Sequence, residues 1–495
     1  MLLLLLWQLI SSIGATGFLL PPPGRVIRVF FNTFQSGESW LSVLTSAQRI
    51  VISVLLAIFL AVIIAWFATR YRTLRLLLAP TVLVLKAVPI VSFILIALFF
   101  MGDTLLTAFI CGTIVFPMVY TQLTSSLLNT DRGLLEMGRV FSLNRRETIR
   151  YIVVPESKES FLASVSVSVG MAWKAGVAAE VLAYSSGTIG RQMHQARLYL
   201  DMESLLAWTL VLVLAAFVSE HLILLVFRLI LTDIGEKLPA ESKRTKAYGK
   251  VSSREIKTRT ELLAEQGAVS EDSFAEGESV CPAPEQAVFI KGVLLAEEDQ
   301  KEDIPTIEIE NLNKCFDGTY IFSDFNVSIP LNRPLVLTGS SGAGKTTLMR
   351  LIAGLTELDS GTISGVPERG VFVFQDNRLL PQLSARDNVR LVLPGYEEGR
   401  ADNLLDKLDL SAVKNNKAAT LSGGEQRRLS LARALAPESD ILYLDEAFRE
   451  LDEKHEDEAL QLMIELARNK AVILATHDLS FIDSLKANVI ELKKH

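Results

Sequence analysis

Apolar residues dominate the first half of the chain and then thin out sharply. Up to residue 231 they form runs of helix length near 2–20, 42–69, 76–101, 104–128, 161–184 and 205–231. Each is long enough for a helix to cross a hydrocarbon core, which takes about 20 apolar residues. The stretches 20–37 and 185–203 are too polar, or too broken by Pro and Gly, to cross. The pattern predicts an all-α, six-helix transmembrane domain over residues 1–231. Beyond it, apolar runs shrink to strand length: Leu335-Val-Leu-Thr338, Gly370-Val-Phe-Val-Phe374, Ile441-Leu-Tyr-Leu444 and Ala471-Val-Ile-Leu-Ala475. Such short, wholly apolar runs are typical of buried parallel strands. They predict an α/β domain over residues 305–495.

Between the two, residues 232–304 are rich in charge, as in Glu241-Ser-Lys-Arg-Thr-Lys246 and Glu297-Glu-Asp-Gln-Lys-Glu-Asp303. Such a composition buries too little surface to offset ordering entropy and reads as a flexible linker. One short apolar piece, Ala287-Val-Phe-Ile-Lys-Gly-Val-Leu-Leu295, is suited to pair with a neighbour.

Charge orients the membrane half. Arg70, Arg72 and Arg75 lie between the second and third apolar runs, and Arg132, Arg139, Arg145, Arg146, Arg150 and Lys158 between the fourth and fifth. The opposite side holds fewer basic residues, chiefly Arg25, Arg28, Arg49, Arg191 and Arg197. The positive-inside rule then places both termini and the loop after the fourth run in the cytoplasm. Met1-Leu-Leu-Leu-Leu-Leu-Trp7 lacks a basic leader and a cleavage site, so it reads as a retained first membrane helix. The net charge of −7 over 495 residues gives no footprint for nucleic acid. Three ionisable residues fall inside apolar runs: Lys86, Lys174 and Glu180. They read either as the lining of a substrate path for an anionic solute or as a structural Lys–Glu pair, and both readings stay open.

The candidate chemistry sits in the last 200 residues or so. Gly339, Ser340, Ser341, Gly342, Ala343, Gly344, Lys345 and Thr346 form a P-loop between a strand and a helix opening at Thr347. Glycines let backbone N–H groups close around phosphates, and the helix N-terminus adds positive potential. Lys345 suits the β- and γ-phosphates of ATP, Thr347 the α-phosphate, and the Thr346 hydroxyl Mg²⁺. Asp445 ends an apolar strand and suits Mg²⁺ as well. Glu446 beside it suits the role of general base toward an attacking water.

Further motifs carry a resemblance. Leu421-Ser-Gly-Gly-Glu-Gln426, followed by Arg-Arg-Leu-Ser-Leu-Ala-Arg-Ala-Leu435, resembles the signature and signature helix of ABC ATPases. Leu134-Leu-Glu-Met-Gly-Arg-Val-Phe-Ser142, running on to Pro155, is similar to the coupling loop of binding-protein-dependent importers. Met137 and Gly138 stand where that family has two alanines, and Ser142 where it has Gly. Trp173-Lys-Ala-Gly-Val-Ala-Ala-Glu180 resembles permeases of the nitrate, sulfonate and taurine importers.

The resemblance implies an ABC importer half-transporter, permease and ATP-binding cassette with its helical subdomain in one chain. It would hydrolyse ATP, with Mg²⁺, to move a small anionic solute such as a sulfonate or nitrate-like compound. It implies that Phe316 stacks on adenine, Gln375 senses Mg²⁺ and the γ-phosphate, Asp452 lies in the D-loop and His477 is the switch histidine. Ser422, Gly423, Gly424 and Glu425 would complete the ATP site of a second copy of the chain, or of another half-transporter. Glu136, Gly138 and Pro155 would form the coupling loop, docking on residues 377–386. A separate extracytoplasmic solute-binding protein and the cytoplasmic membrane of a prokaryote complete the expectation. The alternatives are an exporter half-transporter and a membrane-anchored ABC ATPase without transport. The short 70–75 loop is too small for the long cytoplasmic helices of exporters.

Overall fold

The computed structural model describes residues 7–11, 20–232, 234–239, 290–295, 304–316, 318–468 and 470–494. The chain forms two compact units: Met1–Thr130 with Val153–Ile234, and Asp131–Ile152 with Gly235–His495. Hydropathy places residues 131–152 in the membrane domain by position alone. Instead they pack into the second unit, through Leu134, Met137, Phe141, Tyr151 and Ile152.

The first unit is all α. Four of its helices are long and apolar enough to cross a membrane, beginning with Gly37–Arg70 and Asp103–Leu128. The others are Val154–Ala183, the apolar part of the third candidate span, and Met202–Thr232. The run expected over 76–101 is not one straight helix. It is the pair Arg72–Ala87 and Ile90–Leu98, bent by 97°. Pro89 explains the break, since the residue before a proline is pushed out of helical geometry and Val88 is extended at ψ 131°. With that pair counted as one span the described residues hold five; the remaining expected run, 2–20, lies largely outside them.

Small residues let these helices approach. Ala57, Ala61, Ala65 and Ala68 form a buried stripe on Gly37–Arg70, and a Cβ on Gly176 would meet Ile50 at 2.9 Å. Polar side chains bridge the helices: Trp173 Nε1 donates to Ser219 Oγ at 2.6 Å, and Ser166 Oγ to Glu220.

The second unit is α/β. Its main sheet has the order β1-β9-β4-β8-β7-β6, from β1 (Ile290–Leu295), β9 (Asn488–Lys494), β4 (Leu335–Gly339), β8 (Ala471–Ala475), β7 (Ile441–Asp445) and β6 (Gly370–Val373). All its pairings are parallel except β1 with β9, which is antiparallel. β1 comes from the apolar piece inside the charged linker; the rest of that stretch, 240–289 and 296–303, lies outside the described residues. Every residue of β7 and β8 is buried, as their uninterrupted apolar runs require. A second sheet packs β3 (Thr319–Pro330), β2 (Thr306–Phe316) and β5 (Ser360–Ser364) antiparallel. The helices Ala385–Arg390, Glu398–Lys407 and Gly423–Leu435 form a helical subdomain.

Candidate nucleotide site

Four neighbouring strands end on the same side of the main sheet, and each delivers a motif there. β4 runs into the phosphate loop, β8 leads to His477, β7 ends at Asp445 with Glu446 next, and β6 leads to Gln375. Ligands of parallel α/β sheets bind in this position, outside the carboxyl ends of the strands.

The loop needs its glycines. Gly339, Gly342 and Gly344 have φ of 136°, 77° and 92°, and a Cβ on Gly339 would meet the Leu492 carbonyl oxygen at 2.2 Å. The helix Lys345–Ile352 follows at once, so its first N–H groups point into the loop. Lys345 folds back over it, donating to the carbonyls of Gly339 (2.8 Å) and Ser340 (3.1 Å). Burial pushes the Lys345 ammonium below its ordinary pKa, against the pull of Glu446 and Asp445.

Thr346 Oγ1 donates to Asp445 Oδ1 at 3.0 Å. Burial raises the Asp445 carboxyl above its ordinary pKa, partly offset by that hydrogen bond. Glu446 adopts a left-handed φ of 47°, and its N–H donates to the Ala475 carbonyl at 2.9 Å. Its carboxylate accepts from Gln375 Nε2 (3.3 Å) and Arg449 (3.1 Å), and lies 3.4 Å from His477 Nε2. His477 Nε2 is also 3.5 Å from Lys345 Nζ. The structure thus brings together Lys345, Thr346, Asp445, Glu446, Gln375 and His477.

Other expected residues stand apart from this network. The Phe316 ring, at the end of β2, is 46% exposed, with Lys314 Nζ 5.1 Å above it. Ser422 caps the helix Gly423–Leu435, and Glu425 accepts from the Ser422 N–H and hydroxyl, both at 2.8 Å, closing a capping box. Asp452 caps the helix Glu453–Leu466, accepting from the His455 N–H at 3.0 Å.

Two arginines of the signature helix escape sequence reasoning. Buried Arg427 donates to the carbonyls of Phe374 (2.7 Å), Gln375 (3.2 Å), Asp445 (3.1 Å) and Ala447 (2.8 Å), so it ties the end of β7 to the Gln375 turn. Arg433 holds the far end of the same turn through the carbonyls of Asn377 (2.9 Å) and Arg378 (2.7 Å). Burial and Arg378 lower its pKa to about 9.

The segment Asp131–Ile152 belongs to this unit. On its helix Arg132–Val140, Glu136 accepts from Arg350 (2.5 Å), in the phosphate-loop helix, and from Arg378 (2.8 Å), which stacks over Phe374. Gly138 packs where a Cβ would be 3.3 Å from Ile152. Ser142 has a φ of 53°, the conformation for which a glycine is usual. Gln382 donates to the Tyr151 carbonyl at 2.7 Å, so Arg378 and Gln382 of the expected 377–386 stretch do meet the segment. Pro155 is the second residue of Val154–Ala183, directly after the π-helical turn Ile149–Val153.

In the first unit, Lys86 lies in the last turn of Arg72–Ala87, and both Lys86 and Lys174 are exposed. Glu180 meets no lysine side chain among the described residues. It is fully buried, accepting from Ser46 Oγ (2.7 Å) and the Gly190 N–H (3.2 Å) at the start of the helix Ile189–Leu198. A carboxylate at a helix N-terminus satisfies donors that would otherwise be orphaned.

Residues 322–449 match the family described as ABC transporter, and residues 50–234 that described as binding-protein-dependent transport system inner membrane component. An aliphatic sulfonates import ATP-binding protein of Pseudomonas savastanoi pv. phaseolicola is 39% identical over 191 residues, 38% of this chain and 71% of that one. A sulfate/thiosulfate import ATP-binding protein of Neisseria meningitidis is 38% identical over 195 residues, 35% of this chain and 55% of that one. A solved dimeric bacterial ABC transporter cassette is 28% identical, with a TM-score of 0.34, over 38% of this chain and 94% of that one.

Proposed function

This chain belongs to the ABC transporter family, with a membrane component of the binding-protein-dependent systems and an ATPase in one polypeptide, and from that premise we propose how its residues divide the work. It is an importer half-transporter that hydrolyses ATP. The observation that carries the reading is the meeting of Lys345, Thr346, Asp445, Glu446, Gln375 and His477 at adjacent strand ends.

In this reading the loop N–H groups and Lys345 hold the β- and γ-phosphates, Thr347 reaches the α-phosphate, and Phe316 offers its exposed face to adenine. The oxygens of Thr346 and Asp445, 3.0 Å apart, fit Mg²⁺, with the Gln375 amide as a further ligand. Bound there, Mg²⁺ neutralises charge on the phosphate oxygens. Glu446 takes the proton of the attacking water, and His477 contacts the γ-phosphate. Asp452 and the signature residues Ser422, Gly423, Gly424 and Glu425 face the nucleotide of a second copy, or of another half-transporter.

Glu136 couples the cassette to the membrane helices, in the cytoplasmic membrane of a prokaryote. The names of the relatives support a sulfonate- or sulfate-like anion as solute, and the exposed Lys86 and Lys174 supply charge of the right sign. A separate extracytoplasmic binding protein delivers it.

The test is ATPase activity of the purified chain in lipid vesicles, with candidate binding proteins loaded with an alkanesulfonate, sulfate or nitrate. Stimulation by one loaded binding protein, together with uptake of its anion, is the expected result. Steady hydrolysis that ignores every binding protein would move the chain to the non-transport ATPases.

A further inference from the structure

The segment Asp131–Ile152 touches two different parts of its unit. Glu136 is held by Arg350 on the phosphate-loop helix and by Arg378 beyond β6. Eleven residues later Glu147, a residue only 6% exposed, accepts from the Tyr396 hydroxyl at 2.6 Å. Tyr396 lies between Ala385–Arg390 and Glu398–Lys407, in the helical subdomain.

Both partners are fixed independently of their contact. Glu147 is locked by a capping box, its second oxygen accepting from the Asn144 N–H at 2.9 Å and its own N–H donating to Asn144 Oδ1 at 2.9 Å. The Tyr396 carbonyl accepts from Arg390 Nε at 3.0 Å. Gly395 and Tyr396 are both left-handed, with φ of 61° and 60°. A tyrosine held in that conformation is strained, and such strain persists where the surroundings over-determine it. Burial and Glu147 push the phenol above its ordinary pKa, so it remains a donor.

Between and beyond the two anchors the backbone has places to bend. Ser142 is left-handed, separating Arg132–Val140 from the turn that carries Glu147. Ile149–Val153 is a π-helical turn, the form that helices adopt at functional irregularities. It leads into the membrane helix that begins at Val154.

Resting on the importer reading above, we propose that Tyr396 and Glu147 form a second coupling latch, by which the helical subdomain grips the segment entering the membrane helix Val154–Ala183. Glu136 is shared between Arg350 of the phosphate-loop helix and Arg378, whose turn Arg433 ties to the signature helix, while Glu147 is held by the helical subdomain alone. A rotation of that subdomain against the phosphate-loop helix therefore twists the segment about Ser142 and reaches the membrane through the π turn. Tyr396 is a positioning residue in this scheme and touches no nucleotide.

The experiment uses the full chain in lipid nanodiscs, with the three cysteines replaced by serine and a spin label on Val167→Cys, an exposed position of the membrane helix. ATPase rate, unfolding temperature and the label's response to Mg·ATP and vanadate are recorded together. Tyr396→Phe is expected to hydrolyse ATP within about twofold of the parent and to melt normally, while losing more than about half of the label response. Glu147→Gln has a single acceptor oxygen, which stays on the Asn144 N–H, and turns its amide N–H toward the phenol oxygen, so the contact survives with its donor reversed and most of the response is expected to remain. The double variant should be no worse than Tyr396→Phe alone, as for two residues acting through one contact. A full label response in Tyr396→Phe, or a loss that tracks a lowered unfolding temperature, overturns the latch. A parent chain that hydrolyses ATP while its label ignores nucleotide sinks the importer reading instead.

Discussion

Glu446 takes a backbone conformation that non-glycine residues seldom adopt, and its carboxylate is then ringed by Gln375, Arg449 and His477. In the proposed mechanism this acceptor is the one that a water attacking the γ-phosphate would meet. Glu446→Gln keeps the shape and a hydrogen-bonding tip but cannot accept a proton. It is expected to bind Mg·ATP at least as tightly as the parent while its turnover falls by about 10²-fold or more. Retention of labelled ATP after rapid gel filtration, beside the rate of phosphate release, checks both halves. Hydrolysis near the parental rate would move the base elsewhere. The phosphate loop and the Asp445–Glu446 pair were legible in the sequence because their chemistry demands residue types at fixed spacing after a strand. Arg427 and Arg433 were not. Nothing in their spacing along the signature helix points to the partners they find, the carbonyls of the packed turn at 374–378.

At the scale of elements, the helix Arg132–Val140 shows what hydropathy misses. Position in the chain assigns it to the membrane half, and only the resemblance expects it to dock on 377–386; its apolar side joins the core of the ATPase unit and Glu136 meets two arginines there. The bend at Pro89 escaped for a related reason: counting apolar residues measures length but ignores the missing N–H and the restricted residue before the proline. Glu180 shows the converse. The sequence revealed an ionisable residue within an apolar run, while its partners, Ser46 and the N-terminus of Ile189–Leu198, come from distant parts of the chain. Glu136→Arg would set three guanidinium groups together, an arrangement that costs about 2–5 kcal/mol in a partly desolvated contact. Nucleotide contacts are untouched, so ATPase is expected to stay within about threefold, with anion uptake falling by about tenfold or more. Uptake and hydrolysis measured on the same vesicles decide it: undiminished uptake removes Glu136 from the coupling route.

The whole molecule holds one phosphate loop and one signature, each on its own elements: Gly339–Lys345 between β4 and its helix, Ser422 at the start of Gly423–Leu435. If two copies pair head to tail, each ATP lies between the loop of one and the signature of the other. Symmetry then dictates how defects combine. Lys345→Ala disables a loop, and Ser422→Arg blocks a signature by putting a long cation in place of a small cap. A dimer of either variant has no intact site. A mixed dimer gathers both defects into one site and leaves the other whole. In a Glu446→Gln background, where bound ATP is not turned over, neither variant alone should retain ATP. An equal mixture, half of it mixed dimers with one sound site of two, should retain about a quarter of the ATP held by the Glu446→Gln chain. Retention by the Ser422→Arg variant alone would mean that each chain closes on its own nucleotide. A mixture as empty as its components would mean that copies of this chain do not pair, which leaves a different half-transporter as the partner.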